Sequence, residues 1–152
     1  MIGNNAIEIA KYLKNRKGAL VMVGGEANQL SVNGKSLLDY ADSLAQKLDA
    51  RIAATANTAQ ELKKSSQAEV FSVFAAEVMN GLKYEESSGK KLPGCIVLLG
   101  YNSRVGRSLI STVERIDTIF LGSAYVEAAT LSLPDASLSE WGRSLTKILG
   151  EL

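Results

Sequence analysis

Ala19-Leu20-Val21-Met22-Val23 runs straight into Gly24-Gly25. The pattern recurs where Ile52-Ala53-Ala54 meets Thr55-Ala56-Asn57, and where Cys95-Ile96-Val97-Leu98-Leu99 meets Gly100-Tyr101-Asn102. Each run is short and apolar throughout, and a polar, helix-forming stretch follows it. A strand buried on both faces needs apolar side chains at every position, whereas a half-exposed strand alternates. Small residues at the end of such a strand allow a tight turn or the close approach of a ligand.

The intervening segments read mostly as helices. Ile2, Ala6, Ile9, Ala10 and Leu13 predict a helix over 3–16 ended by Gly18, and Leu37, Leu38, Ala41, Leu44, Ala45 and Leu48 predict one over 35–48. Gly25 to Gly34 read as a polar loop. Thr58 with Glu61 and Ser66 with Glu69 fit capping boxes. They predict a short helix over 59–64 and a longer one over 67–82. Val70, Phe71, Val73, Phe74, Val78, Met79 and Leu82 would give the longer helix a wide apolar face, suited to core packing or to docking on another subunit. Residues 83–93 read as a surface loop and 103–115 as a helix carrying Val105, Leu109, Val113 and Ile116 beyond it. Ile119-Phe120-Leu121 and residues 129–132 read as strands. After Pro134-Asp135, Ser137 and Glu140 cap a last helix that turns Leu138, Trp141, Leu145, Ile148 and Leu149 to the core.

Alternating buried strands and helices imply parallel pairing, with helices on both faces of one sheet. The expected fold is a three-layer, Rossmann-like, doubly wound α/β sheet forming a single domain over 1–152. Ligands of such sheets lie beyond the carboxyl ends of the strands, near the point where strand order reverses. Gly24, Gly25, Thr55, Asn57, Gly100, Tyr101 and Asn102 are therefore the candidate cofactor-binding residues.

Composition narrows the chemistry. The 152 residues are 46% hydrophobic and 22% charged, with a formal net charge of +1. That balance gives no global reason to bind nucleic acid or anionic lipid. There is no His and one Cys. This excludes a disulfide framework, a Cys-rich metal site and a Ser-His-Asp triad within the chain. No apolar run is long enough to span a bilayer, and the first residues lack the features of a signal peptide. The expectation is a cytoplasmic protein with no membrane or nucleic-acid partner.

Phosphate-loop patterns come close and miss. Gly34-Lys35-Ser36 resembles the end of a P-loop, but the required upstream glycine position is Gln29. Gly100 to Ser108 has one residue too many between its glycines and Arg107 where Lys is needed. Gly24-Gly25 develops no G-x-G-x-x-G pattern. Arg104 and Arg107, one helical turn apart, suit a phosphate, a partner's carboxylate or solvent. Asn57, Asn102 and Ser103 suit either a ligand or a helix cap. Cys95 reads as an inert buried thiol. No residue stands out as a catalytic acid, base, nucleophile or metal ligand.

Three blocks together resemble a known family. They are Lys17-Gly18-Ala19-Leu20-Val21-Met22-Val23-Gly24, Arg51-Ile52-Ala53-Ala54-Thr55-Ala56, and the stretch from Ile119 through Tyr125, Ala128, Ala129, Thr130, Ser132 and Pro134 to Trp141. In order and spacing they resemble the epsilon subunit of the archaeal acetyl-CoA decarbonylase/synthase complex, the small subunit of carbon monoxide dehydrogenase. The loop Ser88–Cys95 and the turn Gly100–Arg104 depart from that family's pattern. The resemblance implies a fold similar to the FAD/NAD-binding middle domain of thiamine-diphosphate enzymes. It implies a non-catalytic accessory subunit in a hetero- or homo-oligomer, whose partner is the large nickel–iron–sulfur alpha subunit that oxidises carbon monoxide. The role implied is to stabilise that assembly or to help electrons pass to FAD, with no cofactor held tightly. A stand-alone flavin- or nucleotide-binding module is the alternative.

Overall fold

The computed structural model describes residues 5–89 and 91–152. The chain begins with α1 (Ala6–Lys14), β1 (Leu20–Val23), a 3₁₀ turn (Gly25–Asn28) and the short hairpin strands β2 (Ser31–Val32) and β3 (Lys35–Ser36). Next come α2 (Leu37–Leu48), β4 (Arg51–Ala54), α3 (Ala56–Ser65), β5 (Val70–Ser72) and α4 (Ala75–Ser88). It finishes with β6 (Ile96–Leu99), α5 (Ser103–Ile110), β7 (Thr118–Phe120), β8 (Leu131–Ser132) and α6 (Leu138–Glu151).

Six strands form one sheet in the order β5-β4-β1-β6-β7-β8, every neighbouring pair parallel. Counted along the chain, these strands lie 3-2-1-4-5-6, which is the Rossmann order. The chain moves outward from β1 through β4 to β5. Then α4 returns it to the far side of β1, where β6 begins. The topological switch therefore falls between β1 and β6.

Side chains alternate cleanly across the sheet. Val21, Val23, Ile52, Ala54, Val97, Leu99 and Ile119 join α1, α2, α3 and α6 in one core. Met22, Ala53, Ile96, Leu98 and Phe120 join α4 and α5 in the other. Both faces are buried, so β1 and β6 carry no polar side chain and β4 only the exposed Arg51 at its start, which is why these strands read as continuous apolar runs. The expected α/β three-layer fold is the one observed.

Several boundaries differ from the sequence reading. Residues 67–82 are not one helix. Ile52 N donates to Glu69 O at 2.8 Å and Val73 N to Ala54 O at 2.9 Å, so 70–72 extend the sheet as an edge strand. The β-branched and aromatic Val70, Phe71 and Val73 suit that conformation, and sheet pairing overrides the helical spacing. The helix that follows runs on to Ser88, into the segment read as a loop, and ends at Gly89 with φ +74°.

Neither inner capping box forms. Thr58 is buried within α3, whose N-cap is Thr55. Ser66 Oγ accepts from Ala68 N and donates to Asp42 instead. The last box does form, between Ser137 and Glu140. Leu138, expected in the core, is 57% exposed at the start of α6.

Helix α5 stops at Ile110, short of residue 115. The turn beyond it is held by the buried carboxylate of Glu86, which accepts from Glu114 N and Arg115 N. At the helix start of the chain, Asn5 caps α1 and Ile2 lies outside the described residues.

Candidate functional site

The turns after β1 and β6 meet at the switch point. Gly24 N donates to Leu99 O at 2.8 Å, continuing the ladder one residue past the strands. A Cβ on Gly24 would lie 2.3 Å from Gly100 O and 2.7 Å from Cδ1 of Tyr101. A Cβ on Gly100 would lie 2.9 Å from Gly24 O, and Gly100 itself has φ +87°. Only glycine fits either place, and the two turns pack backbone to backbone. Here the residue type is set by a close approach as well as by torsion.

Above this contact opens a crevice of about 310 Å³, lined by Val23, Gly24, Gly25, Glu26, Thr55, Gly100, Tyr101, Asn102 and Val105. That volume is at the lower end of the range for small-molecule sites, about 300–1,000 Å³. Gly25 points the other way from Gly24: a Cβ there would meet nothing within 4 Å. Tyr101 packs its ring against the core of Met22, Leu98 and Phe120. Burial pushes its phenol well above the ordinary tyrosine range, so the hydroxyl stays protonated.

Six of the seven sequence candidates therefore stand together: Gly24, Gly25, Thr55, Gly100, Tyr101 and Asn102. Asn57 does not line the crevice; it is exposed on the first turn of α3. Asn102 lines it while serving as a helix cap, because its Oδ1 accepts from Val105 N at 2.9 Å. Sequence reasoning missed Glu26 and Val105. Glu26 falls in the segment that reads as a polar loop, and Val105, one of the residues carried by the 103–115 helix, is 41% exposed.

The near-miss phosphate motifs resolve into structural roles. Asn33 and Gly34, with φ +52° and +77°, turn the hairpin between β2 and β3. Positive φ at both central residues is the requirement that makes Asn-Gly a hairpin signal. Ser36 then caps α2 by accepting from Leu38 N. Arg104 and Arg107 are exposed on α5 and neither lines the crevice. Cys95 is fully buried, and burial raises its thiol to about 11.

Among the described residues, no group of three His, Cys, Asp or Glu side chains is placed to hold a metal ion. Nor is any described helix long and apolar enough to cross a membrane.

No family model matches the chain, and no curated protein matches it. Among solved structures it is similar to the Escherichia coli quinone oxidoreductase complexed with NADPH, at 17% sequence identity and a TM-score of 0.44. The match covers 96% of this chain and 48% of that one, so the chain spans about half the length of that protein.

Proposed function

We propose that this chain is a nucleotide-binding module of Rossmann-like fold with no catalytic centre of its own. The observation that supports it most directly is the crevice at the switch point between β1 and β6, walled by glycine turns. Open α/β sheets bind their ligands at that point, outside the carboxyl ends of the strands. FAD and NADPH are ligands of the right chemical class, each offering a planar ring to a slot of this size.

Titration calorimetry of the purified chain with FAD, NADPH and ATP tests the reading. Saturable heat with at least one of them is expected. Gly25→Phe should remove that heat while leaving the fold intact, because Gly25 has open space before it and an ordinary negative φ. If no nucleotide gives heat at millimolar concentration, the reading fails.

A second reading rests on the open edge of the sheet. Among the described residues β5 pairs only with β4, and Phe71 on it and Phe74 just beyond it are 38% and 67% exposed. Exposed large apolar groups beside an open strand suit a protein interface. They fit the accessory subunit implied by the epsilon-subunit resemblance, bound to the large nickel–iron–sulfur alpha subunit of carbon monoxide dehydrogenase and helping electrons reach FAD. Affinity purification of the tagged chain from its native cell should then recover a large iron–sulfur protein, and Phe74→Ser should release it. Recovery of no such protein defeats this second reading and leaves the first in place.

A further inference from the structure

We propose that the crevice recognises the uncharged end of its ligand, a planar base or flavin-type ring with its attached sugar, and takes little or no affinity from the phosphates. The inference rests on the nucleotide reading and names the part of the ligand that is read.

Charge is the first ground. Of the nine lining residues, Glu26 is the only charged one, and no Lys or Arg among the described residues lines the space. A phosphate placed here would meet a carboxylate and no cation. The same carboxylate is well suited to accept hydrogen bonds from sugar hydroxyls.

The absence of a helix directly after β1 is the second ground. In a dinucleotide-binding Rossmann unit the first strand turns directly into a helix, whose N-terminus holds the pyrophosphate. Here β1 leads instead into the 3₁₀ turn and the hairpin, and α2 starts only at Leu37. Its N-terminal amide at Leu38 is already occupied by Ser36 Oγ. On the other side of the crevice, the Val105 amide of α5 is occupied by Asn102, so among the helix starts bordering the space only that of α3, with N-cap Thr55, carries no side-chain cap. Arg104, the nearest cation in sequence, is exposed and is not among the lining residues.

The third ground is the surface that remains. Val105 and the ring of Tyr101 offer apolar contact beside the bare backbone of Gly25. A flat ring can lie on glycine backbone that any Cβ would hold at a distance, and it gains from aromatic contact with Tyr101.

Calorimetry with two series tests this: adenosine, AMP, ADP and ATP, and riboflavin beside FMN. Within the series that binds, affinities should agree within about threefold, and raising salt should leave them unchanged, since no counterions are displaced from a cationic site. Glu26→Gln should raise the affinity for the phosphorylated members relative to the nucleoside. Arg104→Gln should change nothing. An affinity that climbs about tenfold or more from nucleoside to triphosphate, or that collapses with salt, overturns this inference but leaves the nucleotide reading standing. No binding in either series overturns both. Fluorescence of the buried Trp141 reports that each variant is folded.

Discussion

Gly24 and Gly25 are neighbours in sequence, yet replacing each by alanine should have opposite effects. Gly24 has φ −85°, so alanine meets no torsional obstacle there. Its cost is steric. The new Cβ would start 2.3 Å from Gly100 O, against the 3.0 Å that real Cβ contacts respect, and Gly100 O is backbone that cannot swing aside. Overpacking of this kind costs about 1–3 kcal/mol. Stiffening of the unfolded chain offsets about 0.4–1 kcal/mol. Gly24→Ala should therefore destabilise by about 1–2 kcal/mol, taking those two effects together.

At Gly25 no atom lies within 4 Å of the new Cβ, so only the favourable effect remains. Gly25→Ala should stabilise by about 0.4–1 kcal/mol. With a urea slope of about 2 kcal/mol/M, the two midpoints should differ by about 1 M. Urea unfolding followed by Trp141 fluorescence and by far-ultraviolet circular dichroism measures this directly. Gly24→Ala with a midpoint equal to or above that of Gly25→Ala would refute the claim that the two turns are held in contact by the missing side chain.

Three further outcomes follow from the packing. Gly106→Ala should destabilise, although alanine is the better helix former by about 1 kcal/mol. Its Cβ would stand 2.3 Å from Cε1 of Phe120, a buried ring whose opposite edge is closed by Gly122. Phe120→Leu should relieve that penalty in a double-mutant cycle, and simple additivity would contradict the clash. Burial raises the Cys95 thiol from 9.0 to about 11, so the folded protein keeps a proton that the unfolded chain releases. Stability from this source is intact below pH 9 and is lost as pH rises toward 11; urea midpoints across that range should fall less in Cys95→Ala. Ser137→Ala should cost about 1 kcal/mol in thermal or urea unfolding by opening the capping box of α6. The box also holds the Glu140 carboxyl below its usual range, so its stabilising effect is present above the ordinary glutamate value and fades as pH falls through the lower folded one.

The central strands were legible because burial on both faces leaves a one-dimensional mark. Val21 to Val23, Ile52 to Ala54 and Ile96 to Leu99 are apolar at every position, as strands covered on both faces are. The β5 edge was not legible. Val70, Phe71, Val73 and Phe74 carry helical spacing and strand-favouring side chains at once, and only pairing with β4 decides between them. The hairpin was hidden for a different reason. Asn33-Gly34 is a strong local signal, but strands of two residues on either side are too short to show alternation.

The sequence by itself determined the layered α/β architecture, the strand ends where a ligand would lie, and the absence of imidazole chemistry. These follow from residue type and order alone. Tertiary structure decided what the strand ends form together. It set Gly24 against Gly100 in backbone contact, opened the crevice beside Gly25, and brought Glu26 and Val105 into its wall while leaving Asn57 and Arg104 outside. The physical reason is that a pocket is made by residues far apart in the chain, here from the turns after β1, β4 and β6. Sequence spacing fixes where each turn falls, but only the packing of the sheet fixes which side chains face one another across the gap.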